Sequence, residues 1–227
     1  MTIEATLPPT DAEPATTLQP VRGTWRQYLA ALRVLLVLTV LLGLGYPLLV
    51  TAIAQVPGLR DRADGSLVHN ASGAAVGSSL LGQGFVDAAG NPLKQWFLSR
   101  PSAAGKNGWD GTSSSASNLG PNNPDLVKAI TDRRAAIAAF DSVPGHPVTP
   151  EQVPADAVTT SGSGLDPDIS PAWARQQAYR VAAARGLGAG QVLALVEAHT
   201  RARDLGFLGE PRVNVLDLNL ALERLRP

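Results

Sequence analysis

One uncharged and almost wholly apolar run near the N-terminus most constrains what this chain can become. Residues 34–54 read VLLVLTVLLGLGYPLLVTAIA, and the next charged residue after Arg33 is Arg60. A helix of about 20 apolar residues crosses the roughly 30 Å hydrocarbon core of a bilayer. Such a helix also satisfies its own backbone hydrogen bonds in lipid. The sequence therefore predicts one transmembrane anchor with its flanks, over residues 25–57.

A cleaved secretory signal is the alternative interpretation of the same run. Residues 52–54 (AIA) have the small-x-small form of a cleavage site, and Arg22, Arg26 and Arg33 form a basic stretch before the run. The apolar run is longer than the 7–15 residues of a usual signal core. We therefore favour a retained anchor, and a mature chain that begins at Gln55 is the alternative.

The charges beside the anchor predict its orientation. Arg22, Arg26 and Arg33 precede the run, whereas Arg60 and Arg62 follow it. The positive-inside rule counts Lys and Arg and largely ignores the acids between them. Three arginines against two favour a cytoplasmic N-terminus, which makes the large C-terminal domain extracytoplasmic.

Composition divides the rest of the chain and excludes several classes of function. Residues 1–24 are rich in Pro and Thr with few large apolar groups, which predicts a disordered cytoplasmic tail. Residues 58–227 are long enough for one extracytoplasmic domain with its own core. With 19 basic and 19 acidic residues the chain carries no electrostatic footprint for nucleic acid. Zero cysteines and three scattered histidines favour neither a transition-metal site nor a Cys/His nucleophile.

The large domain shows short strand-like and helix-like segments without a regular βαβ rhythm. We therefore predict a mixed α+β fold, or irregular α/β, attached to the single N-terminal transmembrane helix. Strands are expected at 66–68, 95–98, 158–160 and 213–215, and helices from Asn123, over 170–185 with Gly186 as the stop, over 191–201, and around Leu218, Leu222 and Leu225.

Three polar features invite a binding-site interpretation, and each has a simpler structural one. Ser161–Gly164 is a glycine-rich turn, but it lacks the Lys of a phosphate-binding loop, so we expect a structural turn. Asp166 and Asp168 supply only two carboxylates, too few for calcium, so we expect them to cap the helix that follows. His199 lies on an apolar helical stripe, where a satisfied, half-buried histidine is expected.

Four sequence blocks resemble the C subunit of the Kdp potassium-transporting ATPase. The longest is GFLGEPRVNVLDLNLAL at 206–222. The others are SGSGLDPDISP at 161–171, SNLGPNNP at 117–124, and GSSLLGQ at 77–83 joined to RPS at 100–102. Their order, behind a single apolar helix, is similar to that family over nearly the whole chain from about Leu32.

The resemblance implies an accessory subunit of a high-affinity, ATP-driven potassium import complex in the bacterial plasma membrane. Its implied partners are a channel-like potassium-selecting subunit, a P-type ATPase subunit and a small single-span subunit. The implied role is to stabilise assembly and to raise the nucleotide affinity of the ATPase subunit. The chain lacks an Asp-Lys-Thr-Gly phosphorylation motif, so we expect no enzyme activity, no catalytic or metal-binding residue, and ATP only through the complex.

The resemblance also implies an ATP-related contact at Gln177. The predicted topology conflicts with a direct contact, because ATP is cytoplasmic and the domain is expected outside. We therefore expect an indirect effect on nucleotide affinity. The alternative function is a signal-anchored extracytoplasmic enzyme or binding protein that works independently of a transporter.

Overall fold

The structure is a computed structural model that describes residues 25–225, and it forms two compact units that divide between Val56 and Pro57. The predicted tail at 1–24 lies outside the described residues.

In the described part of the first unit, Trp25–Ala54 is one continuous helix. It consists of α1 (Trp25–Val40), a π-helical turn (Leu41–Gly45) and α2 (Tyr46–Ala54). By length and composition, Trp25–Ala54 is the one helix among residues 25–225 that is able to cross a membrane. The predicted single N-terminal apolar helix is therefore confirmed.

The π-helical turn lies directly before Pro47. Proline has no backbone N–H, and its ring crowds the carbonyl four residues earlier, so a helix must adjust locally around it. Here the N–H of Tyr46 donates to the carbonyl of Leu41, five residues back. The Thr51 hydroxyl also donates to the Pro47 carbonyl at 2.8 Å, within the same helix.

The second unit mixes helices with small antiparallel sheets, as the sequence predicted. The strands are β1 (Leu67–His69), β2 (Ala75–Ser78), β3 (Asp168–Ile169), β4 (Thr200–Arg201) and β5 (Arg212–Asn214). A hairpin pairs β1 with β2, and the second sheet has the order β3-β5-β4. The helices are α3 (Arg60–Ala63), α4 (Pro124–Asp141), a 3-10 turn (Pro150–Gln152), α5 (Ala155–Val158), α6 (Pro171–Arg185), α7 (Ala189–Ala198) and α8 (Val215–Glu223).

The helix α6 is central to the core, and both of its ends match the prediction. The Ser170 hydroxyl accepts a hydrogen bond from the N–H of Trp173 at 3.1 Å, and Pro171 occupies the first turn. Gly186 ends the helix with φ of +67°, a left-handed conformation that favours glycine. The buried residues of α6 include Trp173, Ala174, Ala178, Val181 and Ala182.

Other boundaries differ from the prediction. Residues 95–98 are a turn followed by irregular backbone and not the predicted strand. The strand predicted at 158–160 is wrong because Ala155–Val158 is a short helix, whose turn the Thr159 hydroxyl closes by donating to the Ala155 carbonyl at 2.8 Å. The helix predicted to reach residue 201 ends at Ala198, since the chain there joins the small sheet as β4.

Candidate functional site

Gln177, the residue with a family-implied link to ATP, is completely buried in α6. Its Oε1 accepts hydrogen bonds from the N–H of Leu98 at 2.7 Å and from Nη2 of Arg180 at 2.8 Å. Its Nε2 donates to the Leu98 carbonyl at 3.2 Å. The amide thus pairs with the backbone of Leu98 as a neighbouring strand would.

Asn219 of α8 pairs in the same way with the backbone of Phe97, the residue before Leu98. Its Oδ1 accepts from the N–H of Phe97 at 2.9 Å, and its Nδ2 donates to the Phe97 carbonyl at 3.0 Å. The two amides therefore bind the backbone of consecutive residues, Phe97 and Leu98. Residues 95–98 look like a strand in sequence but are not one, because the chain turns at residues 94–96, where the N–H of Trp96 donates to the Leu93 carbonyl at 3.2 Å. At Phe97 and Leu98, side chains take the place of a partner strand.

Arg180 is 1% exposed and binds the backbone of the same part of the chain, residues 94–98. Its Nε donates to Oδ1 of Asp141 at 2.8 Å, and its Nη1 donates to the carbonyls of Lys94 and Trp96. The guanidinium also lies 4.7 Å from the centre of the Phe140 ring. We name Gln177, Arg180, Asn219, Asp141 and the segment 94–98 that they bind the amide clamp.

The electrostatics of the amide clamp are those of a structural ion pair. Burial lowers the pKa of Arg180 below its usual value, while Asp141 opposes that change. An arginine remains charged in proteins even so. The Asp141 carboxylate also accepts from Nε2 of Gln176 at 2.8 Å, so both of its oxygens are hydrogen-bonded. The network can fix the 94–98 segment, and its polar groups are already engaged with one another.

The glycine-rich turn at 161–164 is tied into the domain, which confirms the structural interpretation. The Ser161 hydroxyl accepts from the N–H of Gly164 at 3.1 Å. Gly164 has φ of +70°, and an added Cβ would lie 2.6 Å from the Ser115 carbonyl oxygen. The Ser163 carbonyl accepts from the Ser115 N–H at 3.0 Å and the Ser114 hydroxyl at 2.9 Å. The serine-rich loop 111–118 is thus an ordered loop rather than a free linker.

The capping role expected of Asp166 and Asp168 is wrong. Ser170 is the N-cap, and the acid that binds it is Asp156, whose carboxylate accepts from the N–H of Ser170 at 2.7 Å and from the Ser170 hydroxyl at 2.9 Å. Asp166 instead pairs with Arg100 at 2.9 Å. Burial, and then the charge of Asp166, raise the pKa of Asp168, and Arg212 at 3.5 Å opposes that rise.

His199 lies where the sequence placed it, half-buried at the end of α7. Its Nδ1 is 2.9 Å from the Leu195 carbonyl oxygen, so the histidine is satisfied by its own helix. Among residues 25–225, no group of three or more His, Cys, Asp and Glu side chains is arranged to hold a metal ion.

An apolar loop between β4 and β5 is the clearest candidate contact surface. Leu205, Phe207 and Leu208 are 82%, 69% and 49% exposed. We name residues 203–210 the docking loop. Scattered apolar side chains are normal on a surface, but adjacent large ones mark an interaction site.

The docking loop is ordered rather than loose. The N–H of Asp204 donates to the Leu208 carbonyl, and the N–H of Leu208 donates back to Asp204, both at 2.9 Å. Arg203 pairs with Glu210 at 2.5 Å across its base. Leu205 has φ of +54°, a conformation that costs a non-glycine residue of the order of 1 kcal/mol. The loop therefore exposes apolar side chains to solvent, at a conformational cost in the backbone of Leu205.

The family block at 206–222 includes residues 206–210 of the docking loop, but the exposure of the loop was not predicted from the sequence. The available signal was LGFLG at 205–209, where large apolar residues alternate with the glycines of a tight turn. Glycine-rich turns lie on surfaces, so leucine and phenylalanine inside one are expected to be exposed.

Comparison with known proteins gives one consistent result. The family model for KdpC, described as "K+-transporting ATPase, c chain", matches residues 28–224. A protein of Kineococcus radiotolerans named "Potassium-transporting ATPase KdpC subunit" is 55% identical over 202 residues, which cover 89% of this chain and 95% of that protein. Proteins with the same name from Streptomyces coelicolor and Mycobacterium tuberculosis are 49% and 48% identical, over 88% of this chain and 93% and 99% of theirs.

Proposed function

The chain belongs to the KdpC family of K+-transporting ATPase subunits, and on that premise we propose that it is a non-catalytic accessory subunit of such a complex. It stabilises the assembly and biases the nucleotide affinity of the ATPase subunit from outside the cytoplasm. The partners proposed are the channel-like, P-type ATPase and small single-span subunits implied by the resemblance.

The docking loop carries the assembly part of the proposal. Its three large apolar side chains are exposed in the single chain, and its hydrogen-bonded turn presents them in one arrangement. A preorganised loop loses little entropy on binding, and aromatic side chains are frequent hot spots of interfaces. We propose that Phe207 enters an apolar depression on another subunit of the complex.

The effect on nucleotide affinity is proposed to be indirect. The apolar helix and its flanking arginines support a domain on the opposite side from ATP. Gln177 is 0% exposed, and its amide is occupied by Leu98 and Arg180. Any influence of Gln177 on ATP affinity then acts through the shape of the domain, which favours one conformation of the complex over another.

Phe207→Ser is expected to lower the yield of assembled complex at least tenfold under dilute conditions. The reason is that truncating an aromatic hot spot costs about 2 kcal/mol or more, and each 1.4 kcal/mol is a factor of ten. The measurement is co-purification of the other subunits with a tagged chain, after expression of the whole complex. The thermal unfolding midpoint of the isolated chain should stay unchanged, because Phe207 is 69% exposed.

Leu80→Ser is the matched control, since Leu80 is also a large apolar residue and is 60% exposed. It should leave the yield at the level of the unaltered chain. Equal yields from Phe207→Ser and the unaltered chain would show that the docking loop does not hold the complex together.

A cysteine in place of Ser163 is expected to react with a membrane-impermeant thiol reagent in intact cells. The chain contains no other cysteine, and Ser163 is exposed, so labelling reports the side of the membrane on which the domain lies.

The purified full-length chain is also expected to bind ATP no more tightly than about 1 mM, a free energy of roughly −4 kcal/mol. Residues 159–172 contain no Lys or Arg to hold a polyphosphate.

Thr10→Cys, in the N-terminal tail, is the control for the thiol labelling and should react only after lysis. Labelling of Ser163→Cys only after lysis would reverse the proposed orientation. Micromolar ATP binding by the full-length chain would restore a direct nucleotide role.

A further inference from the structure

One asparagine of the chain is directly followed by glycine. Asn107 precedes Gly108, whereas every other asparagine in the sequence is followed by a larger residue or by proline. In the asparagine–glycine pair the backbone nitrogen of the glycine attacks the side-chain amide most readily, because glycine has no Cβ to block the approach. The surroundings of these two residues decide whether that attack is open in the folded chain.

Both reacting groups are free of hydrogen bonds and within reach of water. Within the described part of the chain, neither the side-chain amide of Asn107 nor the N–H of Gly108 has a hydrogen-bond partner. Asn107 is exposed and Gly108 is half-buried, and both line an open cleft of about 610 Å³. Hydroxide can therefore remove the amide proton of Gly108, and no contact has to break before its nitrogen reacts.

Other asparagines lack at least one of these conditions. Asn91 precedes Pro92, which has no N–H to become a nucleophile. The Oδ1 of Asn70 accepts hydrogen bonds from two backbone N–H groups of its own turn. Asn219 is 2% exposed, and its amide is bonded at both ends to the backbone. Asn107 thus combines an exposed, unbonded amide with the least hindered nucleophile.

We propose that Asn107 is a site of spontaneous deamidation. The nitrogen of Gly108 loses its proton and forms a bond to Cγ of Asn107, and the side-chain nitrogen leaves as ammonia. A water molecule then opens the cyclic succinimide at either of its carbonyls. The products are aspartate and isoaspartate, and each carries a negative charge that the asparagine lacks.

The isoaspartate product changes the backbone beside Trp109, because the main chain then runs through Cβ and Cγ of residue 107 and is longer by one carbon. The N–H of Trp109 donates to the Ser102 hydroxyl at 2.8 Å, and that hydroxyl donates to the Gly164 carbonyl at 2.6 Å. The Trp109 ring also packs against Gly84, where an added Cβ would lie 2.5 Å from it. A longer chain at residue 107 displaces this anchored tryptophan, so the reaction weakens the bond from Trp109 to Ser102.

The test is peptide mapping by mass spectrometry of the full-length chain in detergent, after incubation in mildly alkaline buffer. Fragment ions locate each amide that has become an acid. Asn107 is expected to react on the order of tenfold faster than Asn118, which is also exposed but is followed by Leu119. Higher pH should speed the reaction, because hydroxide removes the amide proton. Equal rates at Asn107 and Asn118 would overturn the proposal.

Asn107→Gln is the matched variant, because it keeps the amide at an exposed position but requires a larger ring, which forms far more slowly. Exchange of the Trp109 N–H with deuterium is followed by NMR in fresh and incubated chains. The isoaspartate form should exchange about fivefold faster, as the loss of one net hydrogen bond implies, and incubated Asn107→Gln should match the fresh chain. Isoaspartate at residue 107 with an unchanged exchange rate would reject the proposed effect on Trp109.

Discussion

Arg180→Met is expected to lower the free energy of unfolding of the domain by about 3–5 kcal/mol, the usual effect of removing one partner of a buried ion pair. Arg180 and Asp141 are 1% and 2% exposed, so the carboxylate left behind would stay out of water. The carbonyls of Lys94 and Trp96 would also lose a donor. Methionine fills a similar volume, so the loss is one of charge and hydrogen bonds rather than packing.

The measurement is urea unfolding of the full-length chain in detergent, followed by tryptophan fluorescence. Arg175→Met is the matched control, because Arg175 lies on the same helix and pairs with Glu197 at 2.6 Å with about half of each side chain exposed. Exposed pairs are worth about 0–1 kcal/mol. A midpoint for Arg180→Met that matches that of Arg175→Met would mean that the amide clamp does not stabilise the domain.

The amide clamp also shows why the conformation of residues 95–98 could not be predicted from the sequence. Residues 95–98 have a typical strand composition, but the N–H groups of Phe97 and Leu98 donate to Asn219 and Gln177, which lie 122 and 79 residues away in sequence. Nothing local distinguishes a backbone that pairs with a strand from one that pairs with two amide side chains. Gln177 likewise gives no sign in sequence that both ends of its amide are occupied.

Helix ends that depend on a few neighbouring residues were predicted correctly from the sequence. Ser170, Pro171 and Gly186 define both ends of α6 through capping and a left-handed glycine, each of which depends on a few neighbouring residues. Asn123 caps α4 as expected, accepting from the N–H of Asp125 at 2.8 Å. The failures occur where tertiary contacts decide, as at residue 201, which pairs with β5 instead of extending α7.

The candidate contact surface falls between these cases. The exposure of the docking loop follows from a local pattern, glycines spaced through LGFLG at 205–209. The aspartate that binds the N-cap of α6 does not follow from a local pattern, because Asp156 lies 14 residues before Ser170 and reaches it only in the folded chain. The two nearer acids were expected to cap the helix, yet Arg100 and Arg212 pair with them instead.

Leu41→Arg is expected to reduce stable membrane retention by about a hundredfold, because a central arginine costs about 2.5–3.5 kcal/mol on insertion scales. Leu41 begins the π-helical turn near the middle of Trp25–Ala54, and no part of the apolar window is buried by the protein. The arginine would therefore face lipid, and it is too far from either end of the helix for its charge to reach water easily.

The measurement is the fraction of chain that stays with membranes after alkaline extraction. Leu59→Arg, beyond the helix, is the control and should be retained. Retention of Leu41→Arg at the control level would show that the apolar helix does not anchor the chain in the way proposed, and a mature protein that begins at Gln55 would instead favour a cleaved signal.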